Sequence, residues 1–214
     1  MQTFLHYGAK YDGGYFHVWI SSTENVPFFS SDIDKAFFLT LMQDTLSPRL
    51  KLKEYYPYNY HYSNDLDLLA FSLTNAGVHL LVHAKCTSAI DEFGQTLLFA
   101  YGDYLQDQKQ RDPLPFDGSF VFDRLLGRHQ ALHVSRKIHL LHDDWRGDRY
   151  SSIGFYLDDR RGDWMRPYRI TSLFQDNSRQ YVRFLKSQET ENDPLFEKVG
   201  ALEPNPQAES SASA

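Results

Sequence analysis

Leu66-Asp-Leu-Leu-Ala-Phe-Ser-Leu73, Thr74-Asn-Ala-Gly77 and Val78-His-Leu-Leu-Val-His-Ala84 follow one another without a break, and their reading decides the fold. The two outer runs are apolar and bounded by turn residues, as strands are, and the four residues between them are short enough for a tight turn. Together they predict an antiparallel hairpin. Upstream, Gly13-Gly14 is a turn signal, and Tyr15-Phe-His-Val-Trp-Ile20 is aromatic and β-branched enough for another strand. Ser30-Ser31-Asp32 offers a helix cap before an apolar stripe at Ile33, Ala36, Phe37, Leu39, Leu41 and Met42. Downstream, Ser88 precedes a helical pattern at Ile90, Phe93, Leu97, Leu98, Ala100, Tyr101 and Leu105, which Asp112 to Gly118 brings to an end.

Ser119 to Val134 reads as one or two further strands, Ser135 to His142 as a short helix, and Tyr150 to Phe174 as a mixed region. The order β-α-β-β-α-β is that of an α+β protein with a ferredoxin-like split β-α-β antiparallel sheet and its helices on one face. Five tyrosines, Tyr55, Tyr56, Tyr58, Tyr60 and Tyr62, crowd the stretch before the hairpin. With Pro57 and the asparagines among them, they favour an exposed loop or hairpin flank.

The chain has 214 residues, 42% of them hydrophobic and 15% aromatic, enough for one domain with a substantial core. Residues 1–186 are assigned to that domain and residues 187–214 to an acidic, disordered tail, because the latter segment is rich in Glu, Pro, Ser and Ala. A net charge of −6 argues against a nucleic-acid partner until its distribution is examined. The tail holds six acids and one base, so the body is close to neutral. Within the body, Arg124 to His142 carries Arg124, Arg128, Arg136, Lys137 and four histidines, with no acid. A single cysteine, Cys86, excludes an internal disulfide, and no leader or apolar span stands out, so a cytoplasmic protein without membrane contact is expected.

Several segments resemble, in order and spacing, the REP-associated tyrosine transposases, single-tyrosine members of the HUH group. Leu73-Thr-Asn-Ala-Gly-Val-His-Leu-Leu-Val82 resembles their histidine-bearing hairpin. Tyr15 to Ile20, Pro27-Phe-Phe and Asp32 to Leu41 resemble their first strand, turn and helix. Gly127-Arg-His-Gln-Ala-Leu132 resembles a strand of the family, Arg136-Lys-Ile-His-Leu140 its nucleophile helix, and Tyr150 to Leu157 its closing region. The resemblance implies binding, cleavage and rejoining of single-stranded or hairpin DNA. In the family a tyrosine acts as nucleophile and two histidines hold a Mg²⁺ or Mn²⁺ ion, and its dimers imply a homodimer here.

Two positions depart from that pattern. The first histidine of the pair aligns with Gly77, leaving His79 as the metal candidate, and the nucleophilic tyrosine aligns with Lys137. Glycine has no ligand, and a lysine amine is protonated at neutral pH. Catalysis is therefore expected to be impaired or lost. His83 shares a strand face with His79 but lies about 13 Å along it, so a substitute ligand would come from elsewhere, with His139 and His142 as candidates. Tyr150 and Tyr156 after the helix, and Tyr55 to Tyr62 before the hairpin, are the alternative nucleophiles. A lysine in place of the tyrosine suits phosphate binding, with Arg124, Arg128, His129 and Arg136 joining Lys137 on one DNA-binding surface. Three functions follow: a DNA-cleaving enzyme with an altered site, a non-catalytic binder of hairpin or single-stranded DNA, or an interaction module that keeps only the fold.

Overall fold

The computed structural model describes residues 12–23, 26–47 and 62–187. The tyrosine run up to Tyr60 and the acidic segment from residue 188 lie outside the described residues. Four strands, β1 (Asp12–Ser21), β2 (Leu66–Thr74), β3 (Gly77–Cys86) and β4 (Val121–Leu125), form one sheet in the order β2-β3-β1-β4. Every neighbouring pair is antiparallel. The protein is thus α+β with an open four-stranded antiparallel sheet.

The expected hairpin is present. Asn75 and Ala76 make its turn, and the Thr74 hydroxyl accepts from the amides of Ala76 and Gly77 at 3.2 Å each. Gly77 opens β3 at φ +153°, and a Cβ built there would stand 2.0 Å from the carbonyl oxygen of Ile20 on β1. The close approach of the two strands requires a residue without a side chain.

One face of the sheet carries α1 (Asp32–Leu46) and α2 (Thr87–Lys109). Ser31 caps α1 by accepting from the Asp34 amide, and Asp32 and Asp34 complement the positive end of the helix dipole. The expected cap at Ser88 is displaced. The helix starts at Thr87, and Cys86 occupies the cap position without a side-chain hydrogen bond. Between the helices and the sheet lies an aromatic core in which Phe28 packs on Phe29, Phe38, Tyr101 and Phe116 at centroid separations of 4.8 to 5.9 Å. The Tyr101 hydroxyl donates to the Phe28 carbonyl, which satisfies its one polar group in an apolar setting.

The other face is covered as well, so the expectation of helices on one side alone is corrected. It carries α3 (Arg128–His139), α4 (Ile153–Tyr156), α5 (Tyr168–Thr171) and α6 (Ser178–Lys186). The reason lies in β2, where Leu68, Leu69, Ala70 and Phe71 are all fully buried. A register shift between Leu68 and Ala70 accommodates an extra residue, and a strand apolar on both sides needs a layer on each. Leu69, Ala70, Leu81 and Leu125 meet Ala131, Leu132, Val134, Ile138, Ile153, Ile170 and Tyr181 there.

The reading of Ser119 to Val134 is corrected in the same region. β4 ends at Leu125, and residues from Arg128 onward are helical, seven earlier than expected. Gly127 at φ +147° turns the chain, and Gln130 Oε1 accepts the Leu126 amide at 2.6 Å. Burial at Ala131, Val134, Ser135 and Ile138 follows the helical period. The segment likened to a family strand is the first half of this helix.

Candidate functional site

Alternation along the strands puts Tyr15, His17 and Trp19 of β1 on the face that α3 covers, beside His79, Leu81 and His83 of β3. The register pairs Trp19 with His79 and His17 with Leu81, which leaves the two histidines diagonal neighbours. His17 Nε2 and His79 Nδ1 are 3.2 Å apart, within hydrogen-bond reach, and the rings are parallel to within 2°. Trp19 stacks on His79 with its centroid 3.7 Å away. Asp123 of β4 is the cross-strand partner of His17, and burial raises its carboxyl above the usual range.

Both imidazoles are 8% exposed. Burial lowers the pKa of His17 to about 4, helped by the positive charge of Lys137, and lowers that of His79 to about 3, helped by His17. At neutral pH the two are uncharged, one donating to the other. Lys137 is half-buried on α3, and its positive charge reaches His17, the hydrogen-bond neighbour of His79. The sequence held a signal for His17: a histidine on the neighbouring strand, two positions from Trp19 and in the same face.

The other candidates disperse. Arg124 is the cross-strand partner of Phe16, and strand parity turns it to the opposite face from His17 and Lys137. Arg128 donates to the Arg169 carbonyl and the Ser172 hydroxyl, fastening α3 to α5. Arg136 donates to the carbonyls of Phe184, Leu185 and Ser187 and so satisfies the end of α6. His129 is exposed and stacks at 6.0 Å with His133 one turn on. The proposed common surface of Arg124, Arg128, His129, Arg136 and Lys137 therefore does not assemble as a unit.

The substitute ligands and nucleophiles are engaged elsewhere. His83 packs edge-on with Tyr15 at 4.9 Å, and His142 lies 3.7 Å from Asp148. His139 is fully buried, with Nδ1 2.7 Å from the Tyr181 hydroxyl and Nε2 2.7 Å from the Ser152 hydroxyl. Burial lowers its pKa to about 3, and Ser152 in turn bonds the backbone of Phe71. This chain of hydrogen bonds joins α3 and α6 to β2 with both imidazole nitrogens partnered, and its inaccessibility makes it a structural network rather than a nucleophilic pair. Tyr156 donates to the Leu69 carbonyl from full burial, while Tyr150 donates to the Asp32 carbonyl.

Mg²⁺ and Mn²⁺ favour oxygen ligands, whereas His17 and His79 supply two nitrogens bonded to each other beside a lysine. Among the described residues no group of three His, Cys, Asp or Glu side chains is placed to hold a metal ion. The described residues at the histidine pair do not fit such an ion. No helix among the described residues is long and apolar enough to cross a membrane.

Charge is also sorted by position. Residues 1–123, which build α1, α2 and nearly all of the sheet, hold 8 Lys and Arg against 15 Asp and Glu. Residues 124–186, which build the second layer, hold 13 against 7. No protein-family model, curated protein or solved structure matches the chain.

Proposed function

We propose that the chain is a transposase-like, non-catalytic binder of single-stranded or hairpin DNA, built on the ferredoxin-like split β-α-β plan of the REP-associated tyrosine transposases. The observation that carries this reading is the charge of the second layer. In a protein of net charge −6, residues 124–186 carry an excess of six positive charges, and that segment supplies all the helices of one face. Arg179, Arg183 and Lys186 are exposed on α6, and the charge of Lys137 on α3 reaches His17. The connectivity and the strand order β2-β3-β1-β4 agree with the proposed plan.

The chemistry at Lys137 supports binding over cleavage. A protonated amine attracts a phosphate but does not attack one, and neighbouring His17 and His79 are poor bases with lowered pKa values. His17 and His79 set a neutral, polar floor, Trp19 offers an aromatic surface at its edge, and Lys137 provides charge.

The test is fluorescence anisotropy with a labelled DNA hairpin and a labelled single strand over a range of salt. Binding that weakens as salt rises, with a log–log slope of about −0.7 per phosphate contact on the single strand, is expected. Affinity no greater than for a neutral control polymer at low salt overturns the proposal. A covalent protein–DNA adduct on a denaturing gel would instead restore a cleaving enzyme.

A further inference from the structure

The cations of the second layer do two different things. Arg128, Arg136, Arg160, Arg166 and Arg169 each donate to oxygens of their own chain and so serve the fold. On α6, Tyr181 and Leu185 are buried against the layer, while Arg179, Arg183 and Lys186 are exposed on the outer side. At about 100° and 1.5 Å per residue the three fall within an arc of about 60°, spaced about 6 and 4.5 Å along the axis. Among the described residues none of these side chains has a hydrogen bond or an ion pair, and α6 contains no acid. Helix stability does not account for the stripe. Arg179 and Arg183 repel each other at the i, i+4 spacing, and Arg179 stands in the first turn, where the helix dipole opposes a cation.

The complementary charges come next in the chain. Glu189, Glu191 and Asp193 follow directly on α6, and residues 187–197 include no base. Every second residue of an extended chain faces the same side, so three such carboxylates repeat about every 6.6 Å and span about 13 Å, against about 10.5 Å for the stripe. Ser187 has left the helical conformation at φ −63° and ψ 136°, so the chain is free to reverse there. Run back antiparallel along α6, Glu189 meets Lys186, Glu191 meets Arg183 and Asp193 meets Arg179. Exposed ion pairs are weak singly and screened by salt, but a connection of two residues holds these at an effective concentration on the order of millimolar.

We infer that residues 189–193 dock on the α6 stripe of their own chain and shield it from other anions. The docking stands on the charges of the two segments alone. Its role as a competitor, displaced when a strand offers several phosphates at once, rests on the nucleic-acid reading above.

The test uses the full chain in two measurements. Carbodiimide coupling at low salt, read by mass spectrometry, is applied to Arg179→Lys and Arg183→Lys, which keep the charge and supply an amine. The amine at position 179 should couple to Asp193 and that at position 183 to Glu191, with the yield lost at high salt. Coupling between copies carrying different isotopes would assign the segment to a second copy and overturn docking within one chain. The second measurement is anisotropy with the labelled DNA hairpin. Glu189→Gln, Glu191→Gln and Asp193→Asn combined should tighten binding by about three- to tenfold at low salt. That gain should vanish when Arg179→Ala, Arg183→Ala and Lys186→Ala are added, and a gain that survives them is long-range charge and overturns docking. Coupling without any DNA binding keeps the docking and removes the nucleic-acid reading. DNA binding with neither coupling nor gain removes the docking alone.

Discussion

The two faces of the sheet are stabilised by different means. Under α1 and α2 the interior is a cluster of phenylalanines and tyrosines beneath an acidic exterior. Under α3 to α6 the interior includes His17, His79, Ser135, His139 and Ser152, and the exterior is basic. Apolar packing tolerates little loss of volume but is indifferent to pH. Buried imidazoles are the reverse, since their hydrogen bonds hold only while they stay neutral. One layer therefore holds by apolar packing and the other in part by hydrogen bonds that a fall in pH breaks.

The sharpest way to break this contrast is Phe28→Ala. Phe28 is fully buried among four aromatic rings, and its truncation is expected to cost about 3–5 kcal/mol in urea denaturation while leaving the DNA affinity of the folded fraction intact. Acid comes next. His17, His79 and His139 have folded-state pKa values near 4, 3 and 3 against about 6.5 in the unfolded chain, so their neutral forms contribute fully above pH 6.5. As pH falls from 6.5 toward 4 the unfolded state takes up protons that the folded state refuses. Stability should then decline by about 1.4 kcal/mol per pH unit for each histidine. His139→Gln should remove one histidine's share of that slope, and Phe28→Leu should leave it unchanged.

Two substitutions in the basic layer separate binding from structure. Arg128→Ala removes the donor to Arg169 and Ser172 and is expected to cost about 1–2 kcal/mol in stability with little change in DNA affinity. Lys137→Ala should weaken DNA by about three- to tenfold and reduce the salt slope by about 0.7. If both variants lose DNA equally, the basic layer acts as a diffuse cloud rather than through Lys137. The smallest effect is expected at Arg149→Ala. Arg149 pairs with Asp32 of α1 across the two layers, but both side chains are exposed, and no measurable change in the denaturation midpoint should follow.

The sequence made one face far more legible than the other. Leu66 to Ala84 specified its own pairing because apolar runs flanked a turn too short for anything but a hairpin, and α1 and α2 carried continuous stripes. The second layer was hidden because its helices are short and polar. α4 and α5 have four residues each, and α3 holds only Ala131, Leu132, Val134 and Ile138 as apolar residues, so its polar composition obscured a helical period that is present. His79 and Lys137 were visible through the resemblance. His17 was not, because its relation to them exists only once β1 lies against β3. Arg128 and Arg136 looked like phosphate ligands because charge alone cannot reveal that a guanidinium is bonded to a carbonyl of its own chain.

Gly77 limits what a single substitution can add to β3. The backbone of β1 already occupies the space where any side chain at that position would begin. A histidine cannot be placed there by one substitution without prising β3 from β1 at the turn, and β1 is the strand that holds His17. A histidine two positions before His79 would therefore take a coordinated change in two strands. For a chain altering one residue at a time that position is closed, whereas the cationic layer of α3 to α6 can be tuned residue by residue.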